Sequence, residues 1–186
     1  MTKFIKIFMV ALLIVSCSKK EEENKAELHS LVIRTETGDV KYAIENAETI
    51  EELQRGLMGR ETLAENSGMI FNLVDVGPVA MWMKDTKVPL DMLFVDKTGR
   101  ISWLYENAVP FSEEIITPPM MEIEFVVELN AGDVRKNNIK VGDVVGHKFF
   151  NNIDENGNLT IVVEPQIMQD NISTDFEEVD LIEETE

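Results

Sequence analysis

Between Leu28 and Val163 the chain runs as short apolar segments, mostly about five to eight residues long, broken by glycine-containing turns. Leu28–Thr35 and Val40–Ile44 flank Glu36-Thr37-Gly38-Asp39, and Val40, Tyr42 and Ile44 alternate with Lys41 and Ala43. That period of two predicts a hairpin with one buried face. Met69–Leu73 and Val79–Met83 are separated by Gly77-Pro78, and Val88–Val95 returns through Asp96-Lys97-Thr98-Gly99 into Ile101–Tyr105. In Glu122–Leu129, alternation directs Ile123, Phe125, Val127 and Leu129 inward and Glu122, Glu124 and Glu128 toward solvent. Lys140-Val141-Gly142-Asp143 turns the chain into Val144–Phe150, and Asn156-Gly157 leads to Leu159–Val163. The principal helix opens at Thr49-Ile50-Glu51-Glu52, a capping-box pattern; Ile50, Leu53 and Leu57 keep helical spacing, and Gly59 is placed to end it. Ala131–Asn138 is a second, short helical candidate. Asn107–Met121, with Pro110, Pro118 and Pro119, reads as a long loop. The pattern predicts one mainly β domain, an antiparallel sandwich or barrel-like fold with one principal helix.

The ends carry different information. Lys3 and Lys6 precede the apolar Ile7–Val15, and Ile14-Val15-Ser16-Cys17 follows. The apolar run is too short for a permanent membrane helix, which needs roughly 20 residues, and fits a secretory signal over residues 1–16. Ile-Val-Ser-Cys resembles a bacterial lipobox, which implies lipid attachment at Cys17 and a place in the cell envelope, facing the periplasm or exposed at the surface. Cys17 is the one cysteine of the chain, so no intramolecular disulfide can form and residues 28–164 must be held by their core. Residues 17–27 read as an acidic tether. Residues 165–186, which end in Phe-Glu-Glu-Val-Asp-Leu-Ile-Glu-Glu-Thr-Glu, are expected to be disordered.

Charge narrows the partners. The formal net charge is −18, and cleavage before Cys17, which removes Lys3 and Lys6 and no acid, takes it to −20. Such a surface repels nucleic acid, so no nucleic-acid partner is expected; a small ligand or another envelope protein is.

Arg55 to Asp96 is the densest stretch. Arg55-Gly56-Leu57-Met58-Gly59-Arg60, Gly68-Met69-Ile70-Phe71, Trp82-Met83-Lys84-Asp85-Thr86, Pro89-Leu90-Asp91, Phe94, Asp96 and Gly99 resemble the family catalogued as domain of unknown function 192. Val126-Val127-Glu128-Leu129 and Ile139-Lys140-Val141-Gly142-Asp143 are similar to its closing strand and turn. The resemblance spans about residues 45–145 and implies a small, mainly β extracytoplasmic domain, with no reaction or cofactor attached. The family usually has Asn where this chain has Asp85; a position that donates a hydrogen bond to a ligand could not keep that role with a carboxylate.

Three chemistries compete for these residues. Arg55, Arg60 and Asp91 form either a salt bridge fastening helix to sheet or an arginine clamp for a carboxylate, phosphate or sulfate. In the binding reading, Met58, Trp82, Lys84 and Thr86 complete a groove between the helix end and the Trp82–Asp91 segment, with the loop over 107–121 as a lid. This non-catalytic binding reading is the expectation taken forward, with no cofactor and no metal. Its first alternative is a hydrolase or transferase using Asp85 or Asp91 with Lys84. The second is Cu(I) binding, because Met81 and Met83 fall on one side of a strand and Met58, Met69, Met92, Met120 and Met121 could join them. Nucleophile-elbow, zinc-protease and phosphate-loop motifs are missing from the sequence.

Overall fold

The computed structural model describes residues 28–119 and 122–160. The signal, Cys17, the tether, Met120, Met121 and the acidic tail lie outside the described residues. β1 (Leu28–Thr35) and β2 (Gly38–Ala47) form the expected antiparallel hairpin, with Leu28 opposite Glu45 and Thr35 opposite Gly38. α1 (Ile50–Arg55) begins at the Thr49 cap, where Thr49 accepts from the Glu52 amide and the Glu52 carboxylate accepts from the Thr49 amide. The helix stops at Gly56, sooner than the hydrophobic spacing suggests. Gly56 has φ 45° and ψ −131°, and a Cβ there would stand 3.0 Å from the Phe71 ring. Only glycine lets the chain turn this sharply against Phe71.

β3 (Ser67–Asn72) then runs parallel to β2, so α1 lies within a crossover and the sheet is not wholly antiparallel. β4 (Leu90–Val95), β5 (Ile101–Ala108), β6 (Phe125–Asn130) and β7 (Val144–Gly146) complete a seven-stranded sheet in the order β5-β4-β6-β3-β2-β1-β7. α2 (Asp133–Lys136) follows β6, and a 3-10 turn over Lys148–Phe150 follows β7. The expected strand over Val79–Met83 does not form; Met81 makes a single bridge to Ile116. The sheet curls until its two edges meet at one end, where the Val145 amide donates to the Gly99 carbonyl (2.7 Å) and the Ile101 amide to the Asp143 carbonyl (2.9 Å). The mainly β, barrel-like expectation therefore stands.

Each face of the curled sheet has its own core. Leu31, Ile33, Ile44, Leu93, Val127 and Leu129 pack on one face with Val134 and Ile139. Met69, Phe71, Met92, Phe94 and Val126 pack on the other, covered by Leu57, Met83, Val88, Ile116 and Ile123 from loops. Burial of each large side chain contributes about 1.5–3 kcal/mol, so two filled faces account for a fold without a disulfide. The second core corrects the reading of β6. Glu128 lies on the same strand face as Val126, directly between Met69 of β3 and Met92 of β4, and is only 4% exposed. It points into the protein, not to solvent.

Candidate functional site

α1 and the segment Met81–Thr86 stand over the face that carries Glu128, and a cleft of about 60 Å³ lies between them. Arg55, Gly56, Leu57 and Met58 form one wall, Ala80, Met81, Trp82 and Thr86 the other, with Phe71 and Glu128 contributed by the sheet. A larger groove of about 540 Å³ adjoins it, lined by Ile50, Leu73, Val76, Pro78 and Val79. Cleft and groove share Leu53, Gln54, Phe71, Ala80, Met81 and Trp82, so they adjoin along one wall.

The walls are fixed by backbone hydrogen bonds. Gly59 donates its amide to the Asp85 carbonyl (2.9 Å), which ties the end of α1 to the Trp82 segment. Met83 donates to the Ser112 carbonyl (3.0 Å), and Phe111 donates to the Thr86 carbonyl (3.1 Å). Met81 and Ile116 exchange two bonds of 2.9 and 2.8 Å. The proline-rich loop therefore braces the Trp82 segment, and none of its described residues lines the cleft. Asp85 sits at the turn with φ 53°, a left-handed conformation that Asn and Asp adopt more readily than other residues bearing a Cβ. That backbone requirement explains why Asp can stand where the family has Asn; the side chain itself is exposed.

The predicted site residues divide sharply. Arg55, Met58, Trp82 and Thr86 meet at the cleft. Lys84 holds its ammonium 5.2 Å from the centre of the Trp82 ring, a cation–π contact at the rim. Arg60 is committed elsewhere: its guanidinium pairs both oxygens of Glu45, at 2.5 and 2.6 Å, and not Asp91. This pairing raises the Arg60 pKa. Asp91 is fully buried on the opposite strand face from Met92 and Glu128. Its carboxylate accepts from the amides of Asn107 (2.9 Å), Gly132 (2.9 Å) and Val134 (3.0 Å), so it caps α2, which has no side-chain cap of its own. Asp91 thus lies outside the groove, and Arg55, Arg60 and Asp91 do not form one cluster. Of the methionines, Met58 and Met81 reach the cleft wall, while Met69, Met83 and Met92 belong to the core beneath.

Glu128 is the cleft residue that the sequence reading missed. Its carboxyl has no hydrogen bond or ion pair among the described residues, and burial pushes its pKa up to about 8. At neutral pH it is a neutral acid able to donate a proton. Arg55, which lines the same cleft, is exposed and makes no side-chain hydrogen bond or salt bridge among the described residues. Thr86 is buried, and its hydroxyl donates to the Lys84 carbonyl (3.2 Å). The signal for Glu128 was present in its strand: Val126, on the same face, is as apolar as the residues expected inside.

Comparison with known proteins agrees with this architecture. A crystal structure described as that of a candidate transcription regulator from Sinorhizobium meliloti 1021 is similar, with a TM-score of 0.62 and 36% identity over 66% of this chain and 95% of that one. A protein of unknown function from Novosphingobium aromaticivorans DSM 12444 is similar at a TM-score of 0.62 and 30% identity, over 67% of this chain and 88% of that one. No curated protein matches. The profile of domain of unknown function 192, described as an uncharacterized ACR, matches residues 32–147, which takes in both walls of the cleft and Glu128. The chain belongs to that family.

Proposed function

We propose that this protein is a non-catalytic binding module, lipid-anchored to the cell envelope through Cys17, and that the cleft receives the polar head of a small ligand. The observation that carries the reading is Glu128: a carboxyl at the floor of a cleft with no protein partner among the described residues leaves its hydrogen-bonding capacity to whatever fills the cleft. Arg55, which makes no side-chain hydrogen bond or salt bridge among the described residues and whose charge acts on Glu52 one turn away, brings a guanidinium to the same cleft, suited to an anionic head. The envelope assignment rests on the signal-like residues 1–16 and the lipobox-like Ile14–Cys17.

A second reading has one observation in its favour. A cleft carboxyl with a raised pKa is what acid catalysis requires, and that group is Glu128, not Asp85 or Asp91. Binding is preferred because the cleft residues include no Ser, Cys or His among the described residues, and the Thr86 hydroxyl is already bonded. A transcriptional role, which the Sinorhizobium relative's description suggests, conflicts with a net charge of −18.

The test is a thermal-shift screen of the full chain against carboxylates, phosphorylated metabolites, sugars, amino acids, Cu(I), Ca²⁺ and Zn²⁺, repeated on Arg55→Ala and Glu128→Leu. A ligand at about 100 times its Kd stabilises by about 2.7 kcal/mol, a shift of several degrees for a domain this size. The reading expects a hit that both substitutions remove. A hit that neither substitution changes places the ligand elsewhere and ends the proposal.

A further inference from the structure

We infer that the ligand is an amphipathic carboxylate whose carboxylate lies in the cleft between Arg55 and Glu128 and whose apolar chain lies in the adjoining groove. The inference rests on the binding reading above and names its ligand class. Size comes first. The cleft, at about 60 Å³, holds a few waters or a head group of that size, while the groove, at about 540 Å³, has the dimensions of a small-molecule site. The two adjoin along Phe71, Met81 and Trp82, which brings both within the reach of one elongated molecule.

Charge decides the head. Arg55 lines the cleft, and Lys84 stands over Trp82 at its rim. No ionised acid is set against them inside the cleft, because Glu128 is neutral there. An ammonium head would meet two cations and no anion among the residues that line the cleft; Glu52, which feels the Arg55 charge, is not one of them. A carboxylate would take two N–H bonds from the Arg55 fork and the O–H of Glu128, a strong charge-assisted pair. A sugar or other wholly polar ligand would leave the groove unused.

Apolar exposure decides the tail. Ile50, Val76 and Trp82 line the groove while 75%, 58% and 41% exposed. Large apolar side chains gathered at one depression mark a site whose partner is itself apolar. Leu53, Leu73 and Val79 extend the same wall.

The experiment is calorimetric titration of the full chain at pH 7 with decanoate, hexanoate, decanol and decylammonium. Each buried methylene tightens binding about fourfold at most. Decanoate is expected to bind at least tenfold tighter than hexanoate, decanol or decylammonium. Arg55→Ala should weaken decanoate at least tenfold and leave decanol within about twofold. Glu128→Gln, which keeps a neutral donor, should retain decanoate within about tenfold, whereas Glu128→Leu should lose it; circular dichroism on both variants checks that they fold. Decanol binding as tightly as decanoate, or decylammonium binding tighter, overturns the carboxylate. If decanoate is silent while another ligand of the screen binds in an Arg55-dependent way, the binding reading stands and this inference falls. If nothing responds to Arg55 or Glu128, both fall.

Discussion

Glu128 ties the stability of the fold to pH, and Glu128→Gln should cut that tie. The carboxyl titrates near its ordinary value of 4.5 when unfolded and at about 8 when folded, because burial between Met69 and Met92 disfavours the charged form and no cation offsets it. The folded pKa is raised, so the native state holds the proton longer. The contribution is fully present below pH 4.5 and is lost as pH rises through 8. The shift of roughly 3.5 pH units corresponds to about 5 kcal/mol at most, at 1.36 kcal/mol per unit, a large part of a typical domain's 5–15 kcal/mol. Glutamine keeps the shape and cannot ionise. Urea unfolding of both proteins at pH 5, 7 and 9 should therefore show Glu128→Gln gaining on the wild type with pH, by several kcal/mol between the extremes. Other groups titrate too, and the difference between the two proteins cancels those it leaves undisturbed. Parallel stability curves would refute the reasoning, since they would mean that Glu128 is solvated or paired.

Four further outcomes are expected. Asp91→Ala removes the acceptor for three amides and should cost about 3 kcal/mol or more in urea unfolding, with faster amide exchange at Gly132 and Val134; a loss below 1 kcal/mol would contradict the capping role. Gly56→Ala places a Cβ at φ 45° against Phe71 and should cost about 1–3 kcal/mol in the same assay; a neutral result would mean that the turn relaxes freely. Asp85→Asn should leave the melting temperature nearly unchanged while Asp85→Val lowers it by several degrees, because only the former tolerates φ 53°. His147, wholly buried with its Nε2 unbonded, is pushed down to about 4 by burial, with Lys148 and His29 adding to the effect. Its contribution is present above pH 6.5 and lost as pH falls through 4, so His147→Gln should flatten the acid limb of the stability curve.

Local chemistry was legible in the sequence, and non-local geometry was not. The Val40-Tyr42-Ile44 alternation located the first hairpin, and Thr49 with Glu52 located the start of α1, because both signals lie within a few residues of what they form. The helix end was misplaced because Leu57 keeps helical spacing, whereas the close approach of Phe71, fifteen residues after Gly56, makes that glycine the stop. The parallel pairing of β2 with β3 has no local signature. That Arg55, Met58, Trp82 and Thr86 gather at one cleft was legible because they crowd one stretch of sequence. Asp91 belonged to the same stretch but faces the other side of the sheet, and a period of two separates such neighbours completely. Glu128 was misread because alternation tells the two faces of a strand apart without saying that one of them is wet. Here loops cover the second face, so a glutamate in an outward register became the buried acid of the cleft.

The most direct test of the ligand site follows the two tryptophans. Trp82 lines both cleft and groove, whereas Trp103 packs against Phe94 and Tyr105 and lines neither. In a titration of the full chain with decanoate, monitored by the two indole N–H resonances, the account predicts that Trp82 shifts in a saturable manner and Trp103 stays in place. A saturable shift at Trp103 with Trp82 unmoved would place the ligand away from the cleft and contradict it.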